Sequence, residues 1–474
     1  MKTKIVATIG PASSSREILQ KLIGSGVDVV RLNFSHGIHS DLESIISNIR
    51  DISKEEGAHV AILADLAGPK IRIGEIPDGG MMISPEDQLT FTTSSASREK
   101  GKIFINYADF PRDVRVGEKV LLDDGKLTLQ ITRTDGDSEV QAKVVIGGKL
   151  QSRKGVNLPD TKISLPSLSE KDLKDIAFIL HHKIEWVALS FVRSANDIQE
   201  LRSFIRKLEP EHVPFIIAKI EKPEAVEAID EILRVTDGVM VARGDLGVEV
   251  PLQAVPLIQK QIVRKCMELN KPSIIATQMM EGMITNSRPT RAEVNDVANS
   301  VMDGADALML SGETSVGSFP VETVETMQKI ISVVENYEDI YHRQHHPVQE
   351  NNDRFISDSI IYTGVSMAKE AKASAIVSVA SSGYSAIKIS SHRPKAGLYV
   401  FSSNDFLLRQ LNLVWGLTPI HFDRIMNTDQ TITDLTNILK SMEHVKFNDL
   451  IVHISNMPID QPGKSNMLKL SYVE

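Results

Sequence analysis

Aromatic side chains are scarce in this chain. Phe, Trp and Tyr supply 5% of its 474 residues, against 42% apolar residues in all. That balance disfavours an all-β sandwich and suits a Val/Ile/Leu/Ala-rich α/β enzyme. Cysteine is scarcer still. Cys266 stands alone, which excludes an intramolecular disulfide, and its segment IQKQIVRKCMELN reads as a helix that packs it. Long apolar runs are missing too. The N-terminal MKTKIVATIGPAS reaches Gly-Pro after six apolar-rich residues, so it reads as a first strand, not a signal peptide or membrane span. An excess of positive charge is also absent, with 53 Lys and Arg against 62 Asp and Glu and a net charge of −9. A general nucleic-acid binder would carry a basic surface. These absences describe a reduced, soluble, cytoplasmic protein with neither a nucleic-acid nor a membrane partner.

What is present is a recurring alternation of short β-branched runs with helix-length amphipathic segments. Strands are expected at 4–10, 27–34, 59–66, 184–191, 214–221, 237–244, 272–278 and 305–312. Eight such units are the number that closes a (β/α)8 TIM barrel, and near-continuous apolar runs are what a parallel sheet covered on both faces requires. The third and fourth units lie about 115 residues apart, where about 30 would suffice for a βα unit. Within that gap, alternating patterns bounded by Gly, Asp and Pro describe a small inserted β-barrel domain. The expected organisation is barrel over 1–70, inserted lid over 71–166, barrel again over 167–342, a linker over 343–354 and an α/β domain over 355–474. The linker region YHRQHHPVQENND (341–353) is polar and His-rich, and its composition is that of a solvated connection.

The strand ends carry the chemistry. FIIAKIE ends in Lys219 and Glu221, and VMVARGDLGVEV ends in Arg243, Gly244 and Asp245. Residues two apart on a strand share a face, so Lys219 and Glu221 point the same way. A cation beside one carboxylate, with a second carboxylate next to a glycine, suits a divalent metal holding a phosphate. In VVRLNFSHG, Arg31, Asn33 and Ser35 also repeat at spacing two, offering a guanidinium fork and neutral oxygens. ADLAGPKIRIG places Asp65, Lys70 and Arg72 at the entrance to the insert, and QSRKGVNLP places Arg153 and Lys154 at its far edge. Gly244 permits close approach of backbone N–H groups to an anion. Thr277 ends a strand with a hydroxyl suited to a proton relay, while Met279, Met280 and Met283 read as core filler.

Taken in order, TKIVATIGPAS, RLNFSHG, GPKIR, KGVNLP, AKIE, MVARGDLGVE, ATQMMEGM, PTRAEVNDVAN and LSGET resemble the pyruvate kinase family, from residue 3 to about 325. The resemblance implies phosphoryl transfer from phosphoenolpyruvate to ADP, giving pyruvate and ATP. It implies Mg²⁺ held by Glu221 and Asp245, and leaves open whether Mn²⁺ substitutes. Lys219 resembles the lysine that neutralises the phosphoryl group in flight, and Arg31 the substrate-phosphate arginine. Gly244 and Asp245 resemble the substrate-carboxylate contacts, and Thr277 a substrate contact near the face where the enolate is protonated. Arg72 and Lys154 resemble the nucleotide-side contacts, with the insert as a lid. A homotetramer is implied as well.

One departure bears on ions. Many members read D-T-K-G-P-E-I-R and need K⁺, at a position matching Asn33, Ser35, Asp65 and the backbone oxygen of Leu66. Here the stretch is Asp65-Leu66-Ala67-Gly68-Pro69-Lys70-Ile71-Arg72, which resembles the K⁺-independent branch, with the Lys70 ammonium taking the ion's part. In the C-terminal region, SSGYSAIKISSHRP puts Ser381, Ser382, Gly383 and Ser385 before a helix. This is either an ordinary N-cap or a phosphate nest for an allosteric effector. Two rival readings are a non-catalytic relative, which would be expected to lose Lys219, Glu221 or Asp245, and a different Mg²⁺-dependent barrel enzyme. The second leaves Arg72, Lys154 and the insert without a purpose.

Overall fold

The computed structural model describes residues 1–474 apart from 36, 95–101, 348–352, 425 and 460–462, with the backbone alone at 78. His36 of the RLNFSHG motif, seven residues of the insert and most of the second half of the His-rich linker therefore lie outside the described residues.

All eight expected strands are present, and they close on themselves: Lys4–Ile9, Val29–Asn33, Ala61–Asp65, Trp186–Leu189, Phe215–Ile220, Gly238–Ala242, Ser273–Ala276 and Ala307–Leu310. Each pairs in parallel with its sequence neighbours, and the first pairs with the last through Lys4↔Ala307. The strands are buried along nearly their whole length because helices cover the outside and side chains fill the inside. Every strand is shorter than the sequence pattern suggests, since the polar ends leave the sheet. The clearest case is 237–244, where the strand stops at Ala242 and Arg243–Glu249 forms a short helix. Arg243, Gly244 and Asp245 thus open a helix and do not end a strand.

The outer helices begin where local chemistry says they should. Ser169 with Asp172, Ser194 with Asp197 and Thr290 with Glu293 form capping boxes on three of them, each satisfying backbone N–H groups that have no partner inside the helix. Cys266 is buried in the helix Val255–Glu268, and burial pushes its thiol well above the usual range. It is a packing residue.

The insert is a curled six-stranded sheet with a separate two-stranded ribbon. Isolated bridges Arg72↔Gly155 and Ile73↔Ile105 connect the two edges of the curl at the point where the chain enters from the barrel. The C-terminal region forms a five-stranded sheet in which four strands run parallel and Met467–Tyr472 runs antiparallel at one edge. This domain plugs the N-terminal end of the barrel: Leu413 packs among Val6, Trp186, Met240 and Met309.

The described part of the His-rich stretch is not a solvated connection. Tyr341 is buried, and His345 stacks on His392 with centroids 4.2 Å apart. Polar composition predicted exposure there; the aromatic faces of the imidazoles instead pack at the seam between barrel and C-terminal domain.

Candidate active site

The C-terminal ends of the barrel strands gather one ion cluster. Arg31 donates to Asp65 Oδ2 from Nε at 2.8 Å and Nη2 at 2.6 Å, and its Nη1 donates to Thr8 Oγ1 at 3.0 Å. From the other side, Lys219 Nζ lies 3.2 Å from Asp65 Oδ1 and 2.9 Å from Glu221 Oε1, and donates to Ser190 Oγ at 2.8 Å. The expectation that Lys219 and Glu221 share a face therefore holds. Burial alone would lower the Lys219 ammonium, but Asp65 and Glu221 outweigh it and hold the group above the usual lysine range. Burial likewise pushes the Asp65 carboxyl up, and Lys219 and Arg31 together pull it below its ordinary value. For Glu221 burial prevails and the carboxyl is raised, with Asp245 adding repulsion. The two ends of the Lys219–Glu221 contact do not mirror each other because Lys219 faces two close carboxylates and Glu221 only one ammonium.

Glu221 is anchored on its other oxygen by the Phe191 N–H at 2.7 Å. Phe191 adopts a φ of 56°, an uncommon left-handed backbone that aims this N–H at the carboxylate. Glu221 Oε1 accepts no well-directed hydrogen bond despite the nearby ammonium. Asp245, half-buried on the short helix, lines a cavity with Lys70, Asn157, Phe191, Arg193 and Lys222. The Gly244 N–H donates to Thr277 Oγ1 at 2.8 Å, and a Cβ at Gly244 would sit 3.3 Å from that hydroxyl. Thr277 itself has a φ of 71°, and its carbonyl accepts from Arg243 Nη2 at 2.8 Å.

The nucleotide-side residues predicted from sequence lie on the insert. Arg72 Nη1 donates to the Arg153 carbonyl at 2.9 Å, and Lys154 pairs with Asp123 at 2.7 Å. Of the residues at the expected monovalent-ion position, Asn33 Oδ1 accepts the Ser35 N–H at 3.0 Å, and the Leu66 carbonyl accepts Ser190 Oγ at 2.8 Å. Asp65 is taken by Arg31 and Lys219. Lys70 is exposed, and among the described residues its ammonium has no hydrogen-bond or ion-pair partner. In the C-terminal domain, Gly383 caps the helix Tyr384–Ser391 with a φ of 80°, Ser381 and Ser382 are exposed, and Ser385 Oγ meets Ser465 Oγ at 2.8 Å.

Sequence reasoning missed the supports. Glu313 braces loops, accepting the Met280 N–H at 3.0 Å and the Ser311 N–H at 2.7 Å. Met279, Met280 and Met283 are fully buried, as expected. Thr8, Lys222 and Glu249 carried no local signal.

The model of the pyruvate kinase barrel domain matches residues 1–324, and that of the pyruvate kinase alpha/beta domain matches residues 358–471. The chain belongs to the pyruvate kinase family. It is therefore a phosphotransferase of glycolysis. It is 41% identical over 476 residues to a pyruvate kinase of Geobacillus stearothermophilus, covering 100% of this chain and 80% of that protein. A pyruvate kinase of Corynebacterium glutamicum is 40% identical over 467 residues, covering 98% of this chain and 96% of that one. The crystal structure of a pyruvate kinase from Cryptosporidium parvum superposes with a TM-score of 0.94 at 33% identity, covering 100% of this chain and 96% of the other. A pyruvate kinase needs a divalent metal. Among the described residues no group of three or more His, Cys, Asp or Glu is placed to hold one.

Proposed function

We propose that this chain transfers the phosphoryl group of phosphoenolpyruvate to ADP, giving pyruvate and ATP, at the C-terminal face of its barrel. The observation that carries the reading is the buried Arg31–Asp65–Lys219–Glu221 cluster, in which two cations and two carboxylates are held against one another at the C-terminal ends of the barrel strands. Arg31 binds the substrate phosphate. Lys219, held protonated, stabilises charge on the phosphoryl group as the P–O bond to the enol oxygen breaks and the bond to the ADP terminal oxygen forms. Gly244 and Asp245 hold the substrate carboxylate, and Thr277 stands near the enolate carbon that takes up a proton. Arg72 and Lys154 receive the nucleotide phosphates. Glu221 and Asp245 fit a divalent ion, Mg²⁺ or Mn²⁺, because Oε1 of Glu221 lacks a directed hydrogen bond and two carboxylates leave room for substrate oxygens and water. Held there, such an ion would supply positive charge beside the substrate oxygens. The test is a lactate dehydrogenase-coupled assay with phosphoenolpyruvate, ADP and Mg²⁺. ADP-dependent pyruvate formation is expected, and its absence defeats the reading.

K⁺ is not required in this reading. With Arg31 and Lys219 already compensating Asp65, the Lys70 ammonium at the rim supplies the remaining monovalent charge between two polyanionic substrates. Activity at constant ionic strength is expected to be the same in Na⁺ and K⁺. A Lys70→Glu variant is expected to lose activity and regain it selectively with K⁺, and a variant with no K⁺ response refutes the charge-substitution account. The Ser381–Ser385 loop is the proposed effector phosphate site. A homotetramer is proposed too, favoured by aliphatic side chains left exposed on the barrel, Leu252 and Val333 each at 71% and Leu257 at 65%. The proposed location is the cytoplasm; no described helix is long and apolar enough to cross a membrane.

A further inference from the structure

Beneath the lid, three segments far apart in sequence meet at one buried carboxylate. Glu249 is the last residue of the short helix that opens with Arg243, Gly244 and Asp245. Its Oε1 forms an ion pair with the ammonium of Lys222, the residue directly after Glu221, and the two side chains are 1% and 8% exposed. The same oxygen accepts a hydrogen bond from Asn157 Nδ2 at 2.7 Å. Asn157 belongs to the insert, on the strand Val156–Asn157, three positions after Lys154. The other oxygen, Oε2, is buried and has no hydrogen-bond partner among the described residues. A second point of contact lies beside it. A Cβ on Gly125, in the turn that also carries Asp123, would meet Val248 Cγ1 at 3.5 Å.

A buried carboxylate is tolerated only while its partners stay in place. Lys222 and Glu249 both belong to the barrel, so their pairing is fixed, and it ties the end of the fifth strand to the helix carrying Asp245. Asn157 is the mobile member whenever the insert moves as a lid. Its N–H bond to a charged acceptor inside a nearly dry site is strong when made. It is lost as soon as the insert swings away and water reaches Glu249.

We propose that Asn157 and Glu249 form the latch of the lid, and that Lys222 is the positioning residue that holds the Glu249 carboxylate oriented for it. The proposal rests on the reading of the insert as the nucleotide-side lid. Latching fixes the strand after Lys154, so Lys154 is brought over the nucleotide only in the closed form. It also joins the nucleotide side to the backbone segments that carry Glu221 and Asp245.

The test uses the full-length protein with Asn157→Ala and Asn157→Asp, read by calorimetric ADP binding and by steady-state kinetics. The wild-type assay decides the phosphoryl-transfer reading by itself, and the variants decide the latch. Asn157→Ala is expected to weaken ADP binding about ten-fold, with the KM for phosphoenolpyruvate unchanged within roughly two-fold. Asn157→Asp keeps the shape but sets a second carboxylate against Glu249, so it is expected to weaken ADP binding further than Asn157→Ala. A merely structural role predicts the reverse order, because Asp is isosteric with Asn. The latch is overturned if ADP affinity is unchanged in Asn157→Ala, if Asn157→Asp is the milder variant, or if the KM values for both substrates rise together.

Discussion

Lys219 concentrates the electrostatics of the site in one side chain. An ammonium with a side chain only 11% exposed survives because Asp65 and Glu221 stand at 3.2 and 2.9 Å and hold it above the usual lysine range. Replacing it removes the cation proposed to stabilise the transferred group and leaves Glu221 buried without its ammonium. For Lys219→Met, kcat is expected to fall roughly a hundred- to a thousand-fold. Thermal unfolding is expected to show a loss of about 3 kcal/mol, since breaking a buried pair strands its partner. Steady-state kinetics and calorimetry check both, and a kcat within ten-fold of wild type would remove Lys219 from the chemistry. Arg31 resists such a simple substitution, because it also holds Asp65 and Thr8 in place.

At the scale of elements, the loop after the seventh barrel strand stores strain. Thr277 at a φ of 71° and Gln278 at 55° are consecutive left-handed residues, and a β-branched side chain there costs about 1–3 kcal/mol. Arg243 holds the loop by both carbonyls, and its other nitrogen reaches Asp296 Oδ1 at 2.8 Å on the next helix. The reward is a hydroxyl aimed at the Gly244 N–H. Thr277→Gly and Thr277→Ala should both lose activity by losing that hydroxyl. The Gly variant, free of strain at positive φ, should be more stable to unfolding than the Ala variant by about 1 kcal/mol. Equal stabilities in calorimetry would mean the backbone there is relaxed.

At the scale of the whole molecule, the seam between barrel and C-terminal domain is polar and buried. Asp306, at the foot of the last barrel strand, accepts from the Ser273 N–H, the Trp415 N–H and Arg393 Nη2 at 3.0, 3.1 and 2.9 Å. Beside it, His392 stacks on His345 and faces Tyr362, with Lys388 and Arg393 as the charged neighbours and Asp358 the nearby acid. Burial lowers His392 to about 2 and His345 to about 4, with Lys388 and Arg393 reinforcing the shift. Both are therefore neutral when folded and protonate near 6.5 when unfolded. Their contribution to stability is complete above pH 6.5 and is lost as the pH falls from 6.5 toward the folded values. For His392 the limiting slope is about 1.4 kcal/mol per pH unit. Scanning calorimetry between pH 7 and pH 5 should show a falling Tm in the wild type and a flatter profile in His392→Asn. Parallel profiles would disprove the role.

Much of this architecture was legible in the chain because it is locally encoded. Short Val, Ile and Leu runs specify buried parallel strands, alternation marks the insert, and polar residues at strand ends announce the face where chemistry occurs. Lys219, Glu221, Asp65 and Arg31 were legible for the same reason: each interrupts an apolar pattern at a strand end. The brace at Glu313, the meeting of Asn157, Lys222 and Glu249, the stacked His345 and His392, and the Leu413 plug were not. Each depends on residues tens to hundreds of positions apart, in segments whose local patterns are ordinary. By itself the sequence determined which elements form and which charges stand at their ends, because periodicity and burial act over a few residues. Only the tertiary structure decided which buried charges pair, which donors are left over and where the lid is held, because those depend on distances that exist only once the barrel has closed.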